Sequence, residues 1–420
     1  MNHSDSRKAL ILATLAFAAN FSVWTLYAVM GVEIRSSLNL SATEYGVLLA
    51  SPIITGALFR LPVGMLCEYY SPKRILTYQM LMLVPAIWAL KFVDTYQGYL
   101  VVGALIGISG VSFTSGISYV SRWYKTKEQG FAMGVFGAGN FGAAITLAIV
   151  PLIIKFWGWE HIATVYALGM SAMTLIFAWF SPNESLYDSS RQRHQFKIQI
   201  DKFKDVKVWQ FGLYYYFVFG SFLALILWLP EYYMRVYKQS FESAMAFTLF
   251  FVATSSMVRA LGGWFSDRYG GKTVNWGVFW ICLVCLFFLS YPPTTMIIHG
   301  TEKDVNLFIE VNLWVFTGLI FIIGVAQGFG RASVYKTIYD YYPESIGSVG
   351  GMVAMIGAMG GCTLPVFFGV AVDLFGIHTA CFMLLYGLLA FCMMVMYVAG
   401  VKEKRQRLLR EAIARNFLNS

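Results

Sequence analysis

The chain has 420 residues and a mass of 47.2 kDa; it is 58% hydrophobic, only 13% charged, and has a mean hydropathy of +0.62. An ordinary soluble domain carries about 25% charged residues, so a water-soluble globule is excluded: it could not cover its surface, whereas a polytopic membrane protein turns apolar side chains toward lipid. The formal charge of +9 does not point to nucleic acid, which needs basic residues gathered on one face; here they separate apolar segments. Six cysteines (Cys67, Cys282, Cys285, Cys362, Cys381, Cys392) fall in or at the ends of those segments. They include one lone C-x-x-C and no metal-type pairing, and read as small hydrophobes. With no paired His or Cys cluster in the segments, neither a metal or haem enzyme nor any cofactor is expected.

A bilayer-crossing helix takes about 20 mostly apolar residues. Cutting the chain where charges, prolines and glycines cluster gives twelve segments, approximately 9–31, 44–67, 74–93, 96–121, 129–154, 159–181, 208–230, 241–266, 273–292, 311–335, 347–372 and 377–400. The first follows Arg7 and Lys8 but is too long for a signal peptide and is at once succeeded by a second span. With both termini inside, the inner connections hold 22 Lys and Arg and the outer ones 6 (Arg35, Lys91, Lys155, Arg235, Lys238, Lys303). That asymmetry places both ends in the cytoplasm of a multi-pass inner or plasma membrane protein. The expected fold class is thus an all-α polytopic membrane protein. Its first six helices occupy 1–181, a basic cytoplasmic linker 182–207, the second six 208–400, and a basic tail 401–420.

Duplication of a six-helix half would leave internal similarity. Arg60-Leu-Pro-Val-Gly64-Met-Leu-Cys-Glu68 on the second helix lies without a gap over Arg259-Ala-Leu-Gly-Gly263-Trp-Phe-Ser-Asp267 on the eighth. Both place an arginine four residues before a glycine and an acid four after it. The second copy, with Gly263, Asp267, Arg268, Gly270 and Lys272, resembles the short loop motif of the major facilitator superfamily. The first is degenerate, with Tyr69 in place of the basic residue. Mechanically, the glycine lets helices approach, while Glu68 or Asp267 can latch onto a neighbouring helix end and be released as the halves rock.

Arg60 and Arg259 lie well inside their spans, where a lipid-facing arginine costs about 2.5–3.5 kcal/mol on insertion scales. Acids near the membrane sit at segment ends (Glu44, Glu68, Asp94, Glu128, Glu160, Glu231, Asp267, Glu310, Asp340, Asp373), and the five histidines are terminal or in loops. Buried arginines with no internal counter-charge call for an anion. Arginine offers a planar fork and aromatic rings can sandwich a flat ion, so composition alone leads to a small planar anion such as nitrate, nitrite, bicarbonate or a carboxylate.

The fifth helix carries Gly134-Val-Phe-Gly137-Ala-Gly139-Asn140-Phe-Gly142, and the eleventh Gly347-Ser-Val-Gly350-Gly351 with Gly357-Ala-Met-Gly360-Gly361. Glycines at these spacings permit close helix packing. Together with the twin arginines, the segments around Asn140 and Gly357 resemble the two nitrate signatures of the nitrate/nitrite porter family, a branch of the major facilitator superfamily, over essentially the whole chain. The resemblance implies that Arg60 and Arg259 bind the anion and that Tyr215, Phe219, Phe113 and Asn140 complete the pocket, with Gly139 and Gly357 lining the path. It implies a monomeric carrier of nitrate or nitrite that works by alternating access, through nitrate/nitrite exchange or proton symport, with no nucleic-acid partner and no enzymatic activity; a carrier of another small anion such as a carboxylate is the alternative. Arg331 is a third basic residue within a span, and Lys336 follows it. They are open between a second anion station or coupling role and pairing with Asp340 or Glu344.

Overall fold

The computed structural model describes residues 3–124, 129–183, 204–299, 301, 303–343 and 346–418. Twelve helices in it are long and apolar enough to cross a membrane: α1 (Ser4–Leu38), α2 (Ala42–Cys67), α3 (Pro72–Phe92), α4 (Tyr96–Ser121), α5 (Ala132–Trp157), α6 (Trp159–Phe180), α7 (Val206–Arg235), α8 (Phe241–Tyr269), α9 (Gly271–Leu289), α10 (Leu313–Tyr341), α11 (Val349–Phe375) and α12 (Ala380–Glu411). Lipid offers no hydrogen bonds, so each span closes its own backbone ladder. The helix starts are marked by side-chain caps. Ser41 and Glu44 form a capping box at α2, Ser71 caps α3 ahead of Pro72, and Ser240 caps α8. Large apolar side chains such as Trp88, Trp179, Trp280 and Trp314 stay exposed on the perimeter, as a lipid-facing surface requires.

Three departures from the sequence reading have local causes. The first helix continues past residue 31 to Leu38, because Val32 and Ile34 extend its buried face and Arg35 is buried with them. The last helix does not stop near residue 400 but runs unbroken from Ala380 to Leu418 through the basic tail, with Arg407 donating to Glu411 one turn on (2.9 Å). Between α9 and α10 an antiparallel hairpin, β1 (Thr294–His299) and β2 (Asp304–Ile309), breaks the all-helical pattern. β-Branched and aromatic residues (Thr294, Thr295, Ile297, Ile298, Val305, Phe308, Ile309) favour strand there. Of the expected linker, 184–203 lies outside the described residues, and α7 begins within its last residues.

The first six and last six helices meet along α2 with α11, α5 with α8, and the C-terminal stretches of α1 and α7. The contact is dense at one end only. There, a Cβ on Gly46 would stand 2.3 Å from the Pro365 carbonyl oxygen, and one on Gly369 would stand 2.2 Å from that of Ala42, so only glycine lets these backbones touch. Toward the basic end, from Arg60 and Arg259 onward, the described residues of the same helices meet sparsely. Among the described residues, the ion pairs there stay within the last six helices: Glu403 with Lys272 and Lys207, and Lys336 with Asp340 and Asp267.

Candidate functional site

Both repeat arginines sit immediately after a break in their helices. Phe59 (ψ −7°) ends the first stretch of α2 and Val258 (ψ −9°) the first stretch of α8, and the next helical stretch starts at Arg60 and at Arg259. Helices that face the arginines break as well. A 3₁₀ turn over Gly107–Val111 interrupts α4, another over Ala138–Phe141 interrupts α5, and a π-helical segment over Tyr216–Ser221 interrupts α7. Such segments leave carbonyls out of the regular ladder, and the arginines use those carbonyls.

Arg60 is 3% exposed. Its Nε donates to the Gly110 carbonyl (3.2 Å) and its Nη1 crosses to Ala354 of α11 (2.9 Å). Its guanidinium lies 5.1 Å from the Trp24 ring, 5.2 Å from Phe113 and 5.9 Å from Phe219. Cation–π contacts of this kind are worth about 2 kcal/mol when desolvated. Phe219 stacks on Tyr215 (5.2 Å, 20°), which meets Tyr335 edge-on (5.2 Å, 78°). A Cβ on Gly357 would stand 2.3 Å from the Tyr215 ring, so this glycine makes the space the tyrosine occupies.

Arg259 reaches across from α8 to the Gly137 carbonyl of α5 (3.4 Å), and a Cβ on Gly137 would stand 2.9 Å from its guanidinium carbon. With its amide oxygen turned to the guanidinia, Asn140 accepts from Nη1 of Arg259 and from Nη1 of Arg331, each at 3.2 Å. Arg331 is fully buried. It also donates from Nε to Gln327 O (3.3 Å) and from Nη2 to Ser255 O and Oγ (2.6 and 2.8 Å), and it lies 3.9 Å from the Phe222 ring. Two guanidinia converging on one oxygen repel by an amount on the order of 3 kcal/mol. They are not neutralised from within: among the described residues the only buried carboxylate is Glu231, about 18 Å along α7 from Phe219. Nη2 of Arg60 and the Nε–Nη2 edge of Arg259 take part in none of the described hydrogen bonds, which leaves a forked donor edge on Arg259 and a facing donor nitrogen on Arg60 for a planar oxyanion.

The structure thus brings Arg60, Phe113, Phe219, Tyr215 and Gly357 into one cluster, and Arg259, Asn140 and Arg331 into an adjoining one. Among the described residues Arg331 pairs with no helix-end acid, whereas Lys336 pairs with Asp340 (2.9 Å) and Asp267 (3.7 Å); Glu344 lies outside the described residues. Gly139 packs on Phe17 of α1, where a Cβ would stand 2.4 Å from the ring, and serves helix contact rather than the cluster. In the loop motif, a Cβ on Gly64 would meet Thr114 at 3.2 Å, whereas one on Gly263 would meet nothing within 4 Å, so the close approach expected there is absent. Asp267 is held by Lys336 of the same six-helix set, Arg268 lies 5.7 Å from the Trp264 ring, and the Glu68 side chain lies outside the described residues. Sequence reasoning gave no role to Trp24, Gly110, Gly137, Phe222 and Tyr335; all but Trp24 stand in the segments around its candidate residues.

The sequence profile of the Major Facilitator Superfamily matches residues 12–301. A Thermus thermophilus protein named "Probable nitrate/nitrite antiporter NarK1" is 33% identical over 96% of this chain and 93% of its own length. The chain belongs to the nitrate/nitrite porter family of the major facilitator superfamily. Among other porters it is similar to the Bacillus subtilis "Nitrite extrusion protein" (24% identical, 90% of each chain) and to the Mycobacterium tuberculosis "Probable nitrate/nitrite transporter NarK2" (27%, 87% of this chain and 89% of that one). In fold it is similar to an inward-facing bacterial homologue of the lysosomal transporter Spinster (TM-score 0.74, 13% identical, 95% of this chain and 98% of that one). The nucleoside transporter NupG gives a TM-score of 0.68 at 14% identity, with 93% and 99% covered. The porter is thus a multi-pass membrane protein of the major facilitator fold.

Proposed function

We propose that this porter carries nitrate and nitrite across the cell membrane by alternating access, with the anion held between Arg60 and Arg259. The observation that carries the reading is a set of three buried guanidinia with no carboxylate beside them among the described residues; Arg60, against the Phe113 ring, keeps Nη2 uncommitted and Arg259 keeps its Nε–Nη2 edge. Phe113, Phe219 and Tyr215 shape the pocket, Asn140 with Arg331 fixes Arg259, and Gly357 admits Tyr215. The names borne by its relatives run to nitrate and nitrite, which does not favour a carboxylate carrier.

The working unit in this reading is a monomer without cofactor or enzymatic activity. Residues 1–181 and 208–400 form the rocking halves, 182–207 the linker and 401–420 the tail; both termini and the basic end face the cytoplasm. The end closed by Gly46 and Gly369 is then the outer one, so the described state opens inward. Bringing one anion in against an inside-negative potential costs about 2.3 kcal/mol per 100 mV. Exchange of nitrate for internal nitrite moves no net charge, and symport with two or more protons also escapes the cost. With no buried carboxylate near the arginines among the described residues, exchange is the better supported of the two, and the Thermus relative is named an antiporter.

In proteoliposomes, labelled nitrate uptake is expected to be driven by internal nitrite, competed by external nitrite but not by formate or oxalate, and insensitive to an imposed pH gradient. Arg60→Ala and Arg259→Ala are each expected to abolish it while the protein still inserts. Wild-type uptake in either variant overturns the two-arginine site.

A further inference from the structure

A second charged cluster, at the outer end, is unused by the anion site. Arg35 of α1 and Glu231 of α7 are each only 6% exposed, and Arg35 Nη1 stands 2.9 Å from Glu231 Oε1. The same oxygen receives Nε of Arg235, one turn further along α7. Arg35 also donates to the Leu40 carbonyl (3.3 Å) and lies 5.0 Å from the Tyr45 ring. Nearby, Asp373 at the end of α11 accepts from the backbone amides of Ala42 (3.1 Å) and Thr43 (2.7 Å) and from the Thr43 hydroxyl (2.6 Å). A carboxylate of the second half therefore caps the first turn of α2 in the first half, where the helix dipole favours an anion. His378 and Lys238 also face this cluster; burial, then Arg235 and Arg35, hold the His378 imidazole below its ordinary pKa.

Both contacts join one six-helix half to the other. A buried ion pair is costly to part in place, and here the cost falls on Arg35: Glu231 keeps Arg235 on its own helix, while Arg35 is left with neither counter-charge nor water. Arg35 can leave Glu231 only where it reaches solvent, which means with the halves splayed at this end. The pair and the capped helix end therefore favour one of two discrete arrangements, as a switching element must. We infer that Arg35, Glu231 and Asp373 form the outer gate of the porter: they hold the outside closed while the anion site faces the cytoplasm, and their parting admits an anion from outside. This rests on the alternating-access reading.

The test places spin labels on cysteines at Ser37 and Glu242, both exposed at the outer ends of α1 and α8, in the full chain; the six native cysteines are buried. Distances are measured by double electron–electron resonance in proteoliposomes without added anion. Glu231→Gln and Asp373→Asn are each expected to raise the long-distance population several-fold. Arg35→Glu and Glu231→Arg singly should do the same, and combined they should return the distribution toward the native one. Thr43→Ala, which keeps the backbone amides, should give a smaller shift in the same direction and serves if a charge variant fails to fold. Distributions that none of these variants moves overturn the gate, as does a charge swap no closer to native than its single components. Nitrate/nitrite counterflow by the labelled wild type is recorded in parallel. Counterflow with unmoved distances removes the gate and leaves the transport reading, while shifted distances without counterflow remove the cargo and leave the gate.

Discussion

A guanidinium deprived of water needs acceptors, aromatic faces or an anion, and the three buried arginines differ in how far the protein supplies them. Arg331 is nearly saturated by Gln327, Ser255, Asn140 and Phe222, so it acts as a fixed charge that positions Asn140 and Arg259. Arg60 and Arg259 keep donors in reserve. Arg331→Gln is therefore expected to insert and to raise the nitrate KM of exchange by about 10-fold or more, the loss of a charge-assisted hydrogen bond of about 1.5–3 kcal/mol. Arg331→Lys should recover part of it, and the effect should shrink in an Asn140→Ala background. Additive KM effects in the double variant would show that Arg331 does not act through Asn140. Arg60→Lys keeps the charge but loses the fork, and should weaken nitrate by about 10- to 100-fold in equilibrium binding. At this scale the repeat arginines were legible from internal symmetry. The partner of Lys336 was legible as well, since Asp340 stands one turn away (i, i+4), while Arg331 is nine residues from that acid. Trp24 and Phe222 were not legible, because which face of α1 or α7 meets an arginine is set by packing, not by spacing.

The helices that build the site are interrupted at Phe59, Val258, Gly107–Val111, Ala138–Phe141 and Tyr216–Ser221. The breaks release Gly110 and Gly137 carbonyls to the arginines and turn Phe219 toward Arg60. Outside these breaks, glycines set how closely the halves close. Gly46→Leu or Gly369→Leu drives side-chain atoms into a facing carbonyl, and is expected to abolish exchange while nitrate-dependent thermal stabilisation survives. Gly277→Ala, with nothing within 4 Å, should leave both unchanged. Loss of exchange in the control would show that the assay reports helix propensity rather than closure. Glycine stripes mark close approach in a sequence without naming the partner: Gly139 serves α1, Gly357 makes room for Tyr215, and Gly263 touches nothing within 4 Å in this state.

Across the whole porter, the distribution of basic residues and the tightness of the helix pairs run in opposite directions: one end is basic and loosely joined, the other tightly joined through Arg35, Glu231 and Asp373. With the basic end inside, a tag after residue 420 should be digested by protease in inside-out vesicles and protected in right-side-out ones; the reverse pattern overturns the orientation. Hydropathy and charge in the sequence determined the number of spans and the pair of repeated arginines, and they supply the orientation this prediction tests, because each depends on a residue's own transfer energy or on a local pattern. Helix ends were less legible, as Leu38 and the run to Leu418 show. What only the tertiary structure decided is pairing over long separations. Arg35 reads from the chain as an outer-loop charge and Glu231 as a span end, yet 196 residues apart they form a buried bridge between the halves. Arg331 likewise joins Arg259 through Asn140. A charge's burial and partner depend on which helices pack against it, and no local spacing carries that information.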